Sequence, residues 1–495
     1  MSRVENADVL LEDAIRMMEG GQAEHAPLAA RDFFERFLPV SRHLRVLDPQ
    51  VRLVIGDKGA GKSQLFQALK FPEGQALLTK LASDQGQVTL PLERVDWRVG
   101  FETLGTFFPS PPAFGKLKGR PVEDSRLLWT ALLARALRHE IRDLGAALPV
   151  EYHSRLTADE APNELGVLVD ATRTVEGQLI TVLDKLEHRL AQTDRYAVVT
   201  YDELDRVSPG DWEVIRILLQ GLIQFWSVYL RRWQRIVCKI FLRRDLYERA
   251  AFRGPDIAKI AWNPAELSWT PGDLYRLLFK RLANAGDSMR DYLRGAKLRL
   301  DQQGLLGWIP EGVDERDFVA PVKYVFGEYM GSDPRRGLTL RWIPNHLKDG
   351  RGRIFPRSLL RFIEEAAKIE KRQQAASRPR LVHHSSLRGG LDEVSPFRVW
   401  ELVNEEFPWL QRIEQAFKAD PFRVPAERKL VLRALTLDWS GEPDGPPLTE
   451  PEALLGYLED LGIASVRSGG KIDVGDLYLL GMHLKRRGGV ARPRL

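Results

Sequence analysis

The sequence predicts an α/β fold: a parallel sheet sandwiched by helices, followed by a helical lid and a C-terminal winged-helix-like domain. Three observations carry that prediction. Short apolar, β-branched runs alternate with helical segments through the first half of the chain, the pattern of a parallel sheet covered on both faces. A glycine-rich loop stands between the first such run and the helix after it. Beyond about residue 265 the strand signals fade and helical spacing takes over.

Taken in order, residues 1–25 read as a helix and a turn at Gly20-Gly21, and residues 29–37 (AARDFFERF) as a second helix. Strand-like runs follow at Arg52–Ile55, Gln87–Leu92, Ala197–Tyr201 and Ile236–Leu242, with helices at 126–145 and 164–192. The Gly-, Pro- and Phe-rich stretch from Val99 to Pro121 reads as a surface insertion. Helices are expected at 271–285, 288–304, 315–330 and 356–376. In the tail they are expected at 396–406, 426–437 and 451–461, before a β-ribbon turning at Gly469-Gly470. The resulting boundaries are an N-terminal helix (1–25), a core (26–265), a lid (266–376), a linker (377–392) and a C-terminal domain (393–495).

The glycine loop is the most informative stretch. Gly56-Asp57-Lys58-Gly59-Ala60-Gly61-Lys62-Ser63 matches the phosphate-binding pattern G-x-x-x-x-G-K-[ST] at every specified position. Its glycines let successive N–H groups converge on phosphate oxygens, and the helix that starts there adds the positive end of its dipole. Lys62 would reach the outer phosphates, and the Ser63 hydroxyl would ligate Mg²⁺. Leu65, Phe66 and Leu69 then recur at helical spacing, so strand, loop and helix stand in the required order.

A phosphate loop needs a carboxylate for the metal and a base to orient water. Residues 196–206 (YAVVTYDELDR) supply both, because a strand over 197–201 would deliver Asp202 and Glu203 to its C-terminal end, where ligands bind in open α/β sheets. Asp202 is the Mg²⁺ candidate and Glu203 the base. Asp205 reads equally as a metal-shell carboxylate or a helix cap. Arg243 comes first after the strand-like run Ile236–Leu242, either to sense the terminal phosphate or to pair with Asp245. No N-K-x-D run follows, so ATP is expected rather than GTP.

These motifs (GDKGAGKS, VVTYDELD and KIFLRRD, in that order) resemble the AAA+ and STAND branch of P-loop ATPases, including origin-recognition-type initiators and bacterial ATPases associated with mobile elements and antiviral defence. The resemblance implies an ATPase using ATP and Mg²⁺, with the lid entered at 265–282 and Arg357, in GRIFPRSLLRFIEEAAK, as the lid's sensing arginine. It leaves the arginine finger unassigned, Arg249 and Arg253 being candidates, and the homo-oligomer with it.

Composition bounds the partners. The 495 residues carry a formal charge of +5, one cysteine (Cys238) and nine histidines without metal-ligand spacing. No apolar run approaches a membrane span and the N-terminus lacks signal-peptide character, so a cytoplasmic protein is expected. Residues 351–390 hold ten Arg and Lys against three Glu, and Lys485-Arg486-Arg487 lies near the end. DNA contact through that stretch and the C-terminal domain is one expectation. The alternative is a nucleotide-gated oligomerising scaffold with little turnover that binds a protein trigger. A destructive effector, if one exists, is expected on a separate chain.

Overall fold

The computed structural model describes residues 3–19, 28–104, 106–208, 211–249, 260, 262–373, 380–441 and 445–487. They divide into two compact units, Pro39–Leu267 and a second in which the segment up to Leu38 joins everything from Ser268 onward.

The second unit begins with helices α1 (Arg3–Met18) and α2 (Ala30–Arg36). Both end on buried cations of the helix Pro271–Ala283: the fully buried Lys280 donates to Phe34 O (2.8 Å) and Glu35 O (2.7 Å), and Arg281 to Met17 O (2.9 Å). C-terminal helix carbonyls lack intrahelical donors, and cations satisfy both their hydrogen bonds and the dipole. Residues 28–38, read with the core in the sequence, therefore pack with the helices beyond 268 instead.

The first unit is built on a five-stranded, all-parallel sheet of order β2-β3-β4-β1-β5, with β1 (Leu53–Gly56), β2 (Val95–Phe101), β3 (Tyr196–Tyr201), β4 (Ile236–Arg243) and β5 (Ala265–Glu266). Alternate residues face opposite layers, as a period of two requires. Ala197, Val199, Tyr201, Ile236, Cys238, Ile240 and Leu242 join the large core built with the helices Val122–Ala136, Leu165–Gln192 and Trp212–Tyr229. Val198 and Val237 face the other way, and Phe241 meets Phe66 of helix α3 (Lys62–Lys70) edge-on at 5.6 Å. Where the helices Val122–Ala136 and Trp212–Tyr229 cross, a Cβ on Gly221 would lie 2.3 Å from Ser125 Oγ, so the approach needs glycine.

The second strand corrects the sequence expectation. Residues 87–91 join no ladder and 92–94 form a 3₁₀ turn; the strand is Val95–Phe101. Pro91 lacks the donor a strand needs. Asp96 and Arg98 hid the true strand, whose place at the sheet edge lets both pair outward, with Arg195 (2.7 Å) and Glu140 (2.6 Å). The helix expected over 288–304 stops at Gly295 and gives way to a hairpin, Leu300–Gln302 with Trp308–Pro310. The linker expected over 377–392 becomes, from His384, the start of the helix His384–Glu405.

Within the second unit the tail forms a winged-helix module. Helix Leu410–Ala419 precedes strand Arg423–Val424, helices Arg428–Leu435 and Pro451–Asp460, and the hairpin Ala464–Val466 with Ile472–Val474. The bridge Ala426–Ile472 joins the first strand's extension to that hairpin. Among the described residues no helix is long and apolar enough to cross a membrane.

Candidate functional site

The site forms at the C-terminal ends of β1, β3 and β4, where the chain leaves three neighbouring strands. Gly56 ends β1, and Gly59 and Gly61 take φ of 81° and 97°, the left-handed region that glycine enters without strain. The loop so formed delivers Lys62 and Ser63 as the first residues of α3. Gly56 has its own reason to be small, since a Cβ there would lie 3.2 Å from Leu267 Cβ and 3.3 Å from Ala60 Cβ. Asp57 O accepts from Ala60 N (3.1 Å), closing the turn, and the Asp57 carboxylate lies 3.7 Å from Arg244 Nε. Lys58, at the loop's outer side, is half-buried.

Lys62 Nζ donates to Gly56 O (2.9 Å) and Asp57 O (3.0 Å), folding its ammonium back over the loop. Burial lowers its pKa, Arg243 lowers it further, and Asp205, Asp202 and Asp245 oppose the fall. The charges of all four are felt at this one lysine, and Asp202 and Asp245 follow the C-terminal ends of β3 and β4. The carboxylates are thus on the loop's rim of the sheet.

Asp202 follows β3 and is only 3 % exposed. The Ser63 hydroxyl, at the start of α3, is near enough to favour the charged form of its carboxylate. Burial pushes its pKa up to about 7, against the pull of the Glu203 backbone N–H and Ser63. Its Oδ2 is buried without a hydrogen-bond partner. An orphaned carboxylate oxygen beside a serine hydroxyl is a hard oxygen donor set of the kind Mg²⁺ takes, so the residues fit that ion. Among the described residues no group of three or more His, Cys, Asp or Glu could hold a metal alone, so such an ion would draw its remaining ligands from phosphate and water.

Glu203 has φ of 56°, unusual for a non-glycine residue and a mark of strain held by its surroundings. What holds it is visible. Its Oε2 accepts from the backbone N of Thr103 (2.9 Å) and from the Thr103 hydroxyl, and Oε1 lies 3.3 Å from Arg206. Thr103 follows β2 in the segment read as an insertion, and nothing in its sequence marked it as a partner of the base.

Arg243 stands in register with Gly56 across the β1–β4 ladder. It is 7 % exposed and held by Asp205 (3.0 Å) and, through two nitrogens, by Asp245 (3.0 and 2.8 Å). Burial pushes the Asp205 carboxyl up and Arg243 pulls it down, to a net fall; Asp205 holds the arginine and is not the cap of the following helix, where Asp211 stands. The pairing with Asp245, the other expectation for Arg243, is present as well.

Arg357 lies in the second unit, second in the helix Pro356–Gln373, paired with Glu401 at 3.0 Å. Arg253 lies outside the described residues, and Arg249 ends the short helix after β4. The 351–390 stretch changes meaning in the fold. Arg351, Arg353, Arg361, Lys368 and Lys371 are ion-paired with Asp460, Asp349, Glu365, Glu364 and Glu12, and Arg388 donates to Met330 O. Arg378 is outside the described residues. The run read as a basic strip is largely neutralised.

The parallel sheet, and the glycine loop that joins β1 to α3, give the unit Pro39–Leu267 a P-loop α/β fold. Among solved structures the chain is similar to the ORC2 protein of Aeropyrum pernix (14 % identity, TM-score 0.38, covering 94 % of this chain and 96 % of that one). It is similar also to the ORC1 protein of the same organism in complex with DNA (14 %, 0.34, 94 % and 95 %) and to a Walker-type ATPase of Pyrococcus abyssi (11 %, 0.37, 90 % and 96 %). No protein-family model and no curated protein matches the sequence.

Proposed function

We propose that the chain binds ATP with Mg²⁺ on Gly56–Ser63 and hydrolyses it, coupling nucleotide state to partner engagement. The observation that carries this reading is the orphaned Asp202 oxygen, buried at the end of β3 with the Ser63 hydroxyl near its carboxylate, on the rim where Arg243 stands in register with Gly56 of the loop. Mg²⁺ held by Ser63 and Asp202 would supply Lewis-acid stabilisation of the phosphates.

The protein's own groups do the rest. The loop amides and Lys62 receive phosphate oxygens, Lys62 exchanging two carbonyl partners for them. Glu203, once turned away from Thr103, accepts a proton from water and orients it in line with the terminal phosphate. Arg243, already fixed by Asp205 and Asp245, offsets charge that develops during transfer. Arg357 is assigned, on the family resemblance, to report nucleotide state by leaving Glu401.

A second reading, a nucleotide-gated scaffold with little turnover, is favoured by one observation: the base is held by Thr103 rather than aimed at the loop. Single-turnover hydrolysis separates the two. The ATPase reading expects Glu203→Gln to bind ATP within about threefold of wild type and to hydrolyse it roughly 10²–10⁴ times more slowly. Equal hydrolysis by the two proteins removes Glu203 as the base. A wild type that binds but completes no more than one turnover decides for the scaffold.

A further inference from the structure

The winged-helix module distributes its charge unevenly. In helix-turn-helix proteins the second helix of the pair reads the major groove. Here that helix is Pro451–Asp460, PEALLGYLED, which carries Glu452, Glu459 and Asp460 and no Lys or Arg. Its acids draw cations from elsewhere in the unit: Arg428 pairs with Glu452 and Arg351 with Asp460. Burial raises the Glu459 carboxyl, and both acidic neighbours on the helix add to the rise. A helix of this charge repels phosphates.

The cations lie on another face. Strand Arg423–Val424 pairs in parallel with Lys485–Arg486, Lys485 opposite Arg423 and Arg486 opposite Val424, and Arg487 N donates to Val424 O (2.9 Å). Alternation then separates the side chains. Val424 is buried, and Arg486 turns inward to Asp476 (2.6 Å), Asp473 and Val474 O (2.9 Å). Arg423, Lys485 and Arg487 are exposed on the other side. Like charges directly opposite in a ladder destabilise it. The neighbouring carboxylates leave that repulsion standing, because Asp420 is taken by Arg433, Glu427 by Lys471 and Glu414 by His483. Among the described residues none of the ion pairs includes Arg423, Lys485 or Arg487. In the sequence the basic run continues to Arg492 and Arg494, outside the described residues.

We infer that this three-cation ribbon, not the acidic helix and not the 351–390 stretch, is where the chain takes a nucleic-acid phosphate backbone, independently of base sequence. The inference deepens the proposed function by naming its partner surface, and rests on the reading that nucleotide state is coupled to engagement of a partner. A face offering three cations and no base-reading helix makes phosphate contacts alone, which position a duplex without reading it.

The test is fluorescence anisotropy of the full chain on two unrelated DNA duplexes, a single-stranded DNA and an RNA duplex, titrated with salt. Each phosphate contact adds about 0.9 to the slope of log affinity against log salt on duplex DNA. Wild type is expected to bind the two DNA duplexes within about threefold, and R423A/K485A/R487A to lose about 2–3 from the slope and roughly 100-fold in affinity at 0.1 M salt. Equal loss on the RNA duplex supports a shared phosphodiester chemistry. K485A alone, the mildest change, is expected to lose about 0.9 from the slope. E452Q/E459Q/D460N is expected to bind as tightly as wild type or more tightly. An unchanged slope in the triple variant, a comparable loss in the acid-neutralised one, or no binding by wild type at 50 mM salt overturns the inference. So does loss of binding to anionic vesicles by the triple variant with DNA binding intact. K62A without nucleotide is expected to keep the wild-type slope, so failure of the nucleotide reading shows separately, as loss of ATP binding.

Discussion

Two lysines of one sheet unit, the half-buried Lys62 and the fully buried Lys239, make the same bonds for different ends. Lys62, at the C-terminal ends of the strands, donates to the carbonyls of Gly56 and Asp57. Lys239, in mid-β4 and fully buried, donates to those of Asp48 (2.5 Å) and Val51 (2.6 Å). The difference lies in the neighbours. Lys62 faces Asp202, Asp205 and Asp245 together with Arg243, a mixed field into which a polyanion and a divalent cation fit. Lys239 has Arg52 and Cys238 beside it and Asp48 further off, and burial lowers its pKa to about 7. Such a lysine is thus a ligand group when its carbonyl partners are loop groups it can exchange, and a staple when they are the fixed approach to a strand.

The sharpest way to break that contrast is substitution of both lysines. Lys62→Ala is expected to weaken ATP binding at least about 100-fold, as a lost charge-assisted contact to phosphate at roughly 1.5–3 kcal/mol compounds with loss of the loop's charge balance. Its unfolding free energy should change by less than about 1 kcal/mol. Lys239→Met is expected to do the reverse, costing roughly 2–4 kcal/mol through two orphaned carbonyls and leaving ATP affinity unchanged. Calorimetric binding and urea unfolding on both variants check this, and a loss of ATP binding in Lys239→Met would erase the distinction.

The next effect concerns Asp202. Its buried carboxylate oxygen finds no hydrogen-bond donor in the protein, so Asp202→Asn is expected to stabilise the nucleotide-free protein by about 1–3 kcal/mol at pH 8 while removing Mg²⁺-dependent affinity. The pH dependence runs in opposite senses for Asp202 and Lys239. With its pKa raised to about 7, Asp202 holds a proton in the fold that the unfolded chain has released, so its contribution to stability falls as pH rises from about 4 to 7. With its pKa lowered to about 7, Lys239 has lost in the fold a proton that the unfolded chain keeps. Its contribution rises with pH from about 7 to 10. Unfolding of Asp202→Asn and Lys239→Met followed from pH 4 to 10 should flatten the first slope and the second respectively.

The smallest effect belongs to Thr103. Thr103→Ala removes one of the three hydrogen bonds that hold Glu203 and is expected to raise basal turnover by a few-fold, corresponding to roughly 0.5–1.5 kcal/mol. Unchanged or lower turnover would mean that the hold on the base is no restraint.

Much of this site could be read in the sequence, because its parts are local. The loop, Ser63 and Asp202–Glu203 each follow directly on a strand with continuous apolar character, and a parallel sheet brings such strand ends to one rim. What escaped was non-local or masked by charge. β2 alternates Asp96 and Arg98 with apolar residues, and its pairing with β3 spans about a hundred positions, so neither the strand nor Thr103 beyond it was legible. The pairing of Asp205 with Arg243 was not legible because the β3–β4 ladder alone brings the two together. The 351–390 run looked like a solvated basic strip because several of its partners, Glu12, Glu401 and Asp460 among them, are distant in sequence.

The central claim, that the rim carrying Lys62, Asp202 and Arg243 receives a triphosphate together with a divalent cation, is tested most directly by titrating ATP into the wild-type chain in a calorimeter, with Mg²⁺ present and with Mg²⁺ chelated. One saturable site that weakens at least about tenfold on chelation, and at pH 5 relative to pH 8 as Asp202 takes up its proton, is the expected result. Saturable binding indifferent to both metal and pH, or none at all, would contradict it.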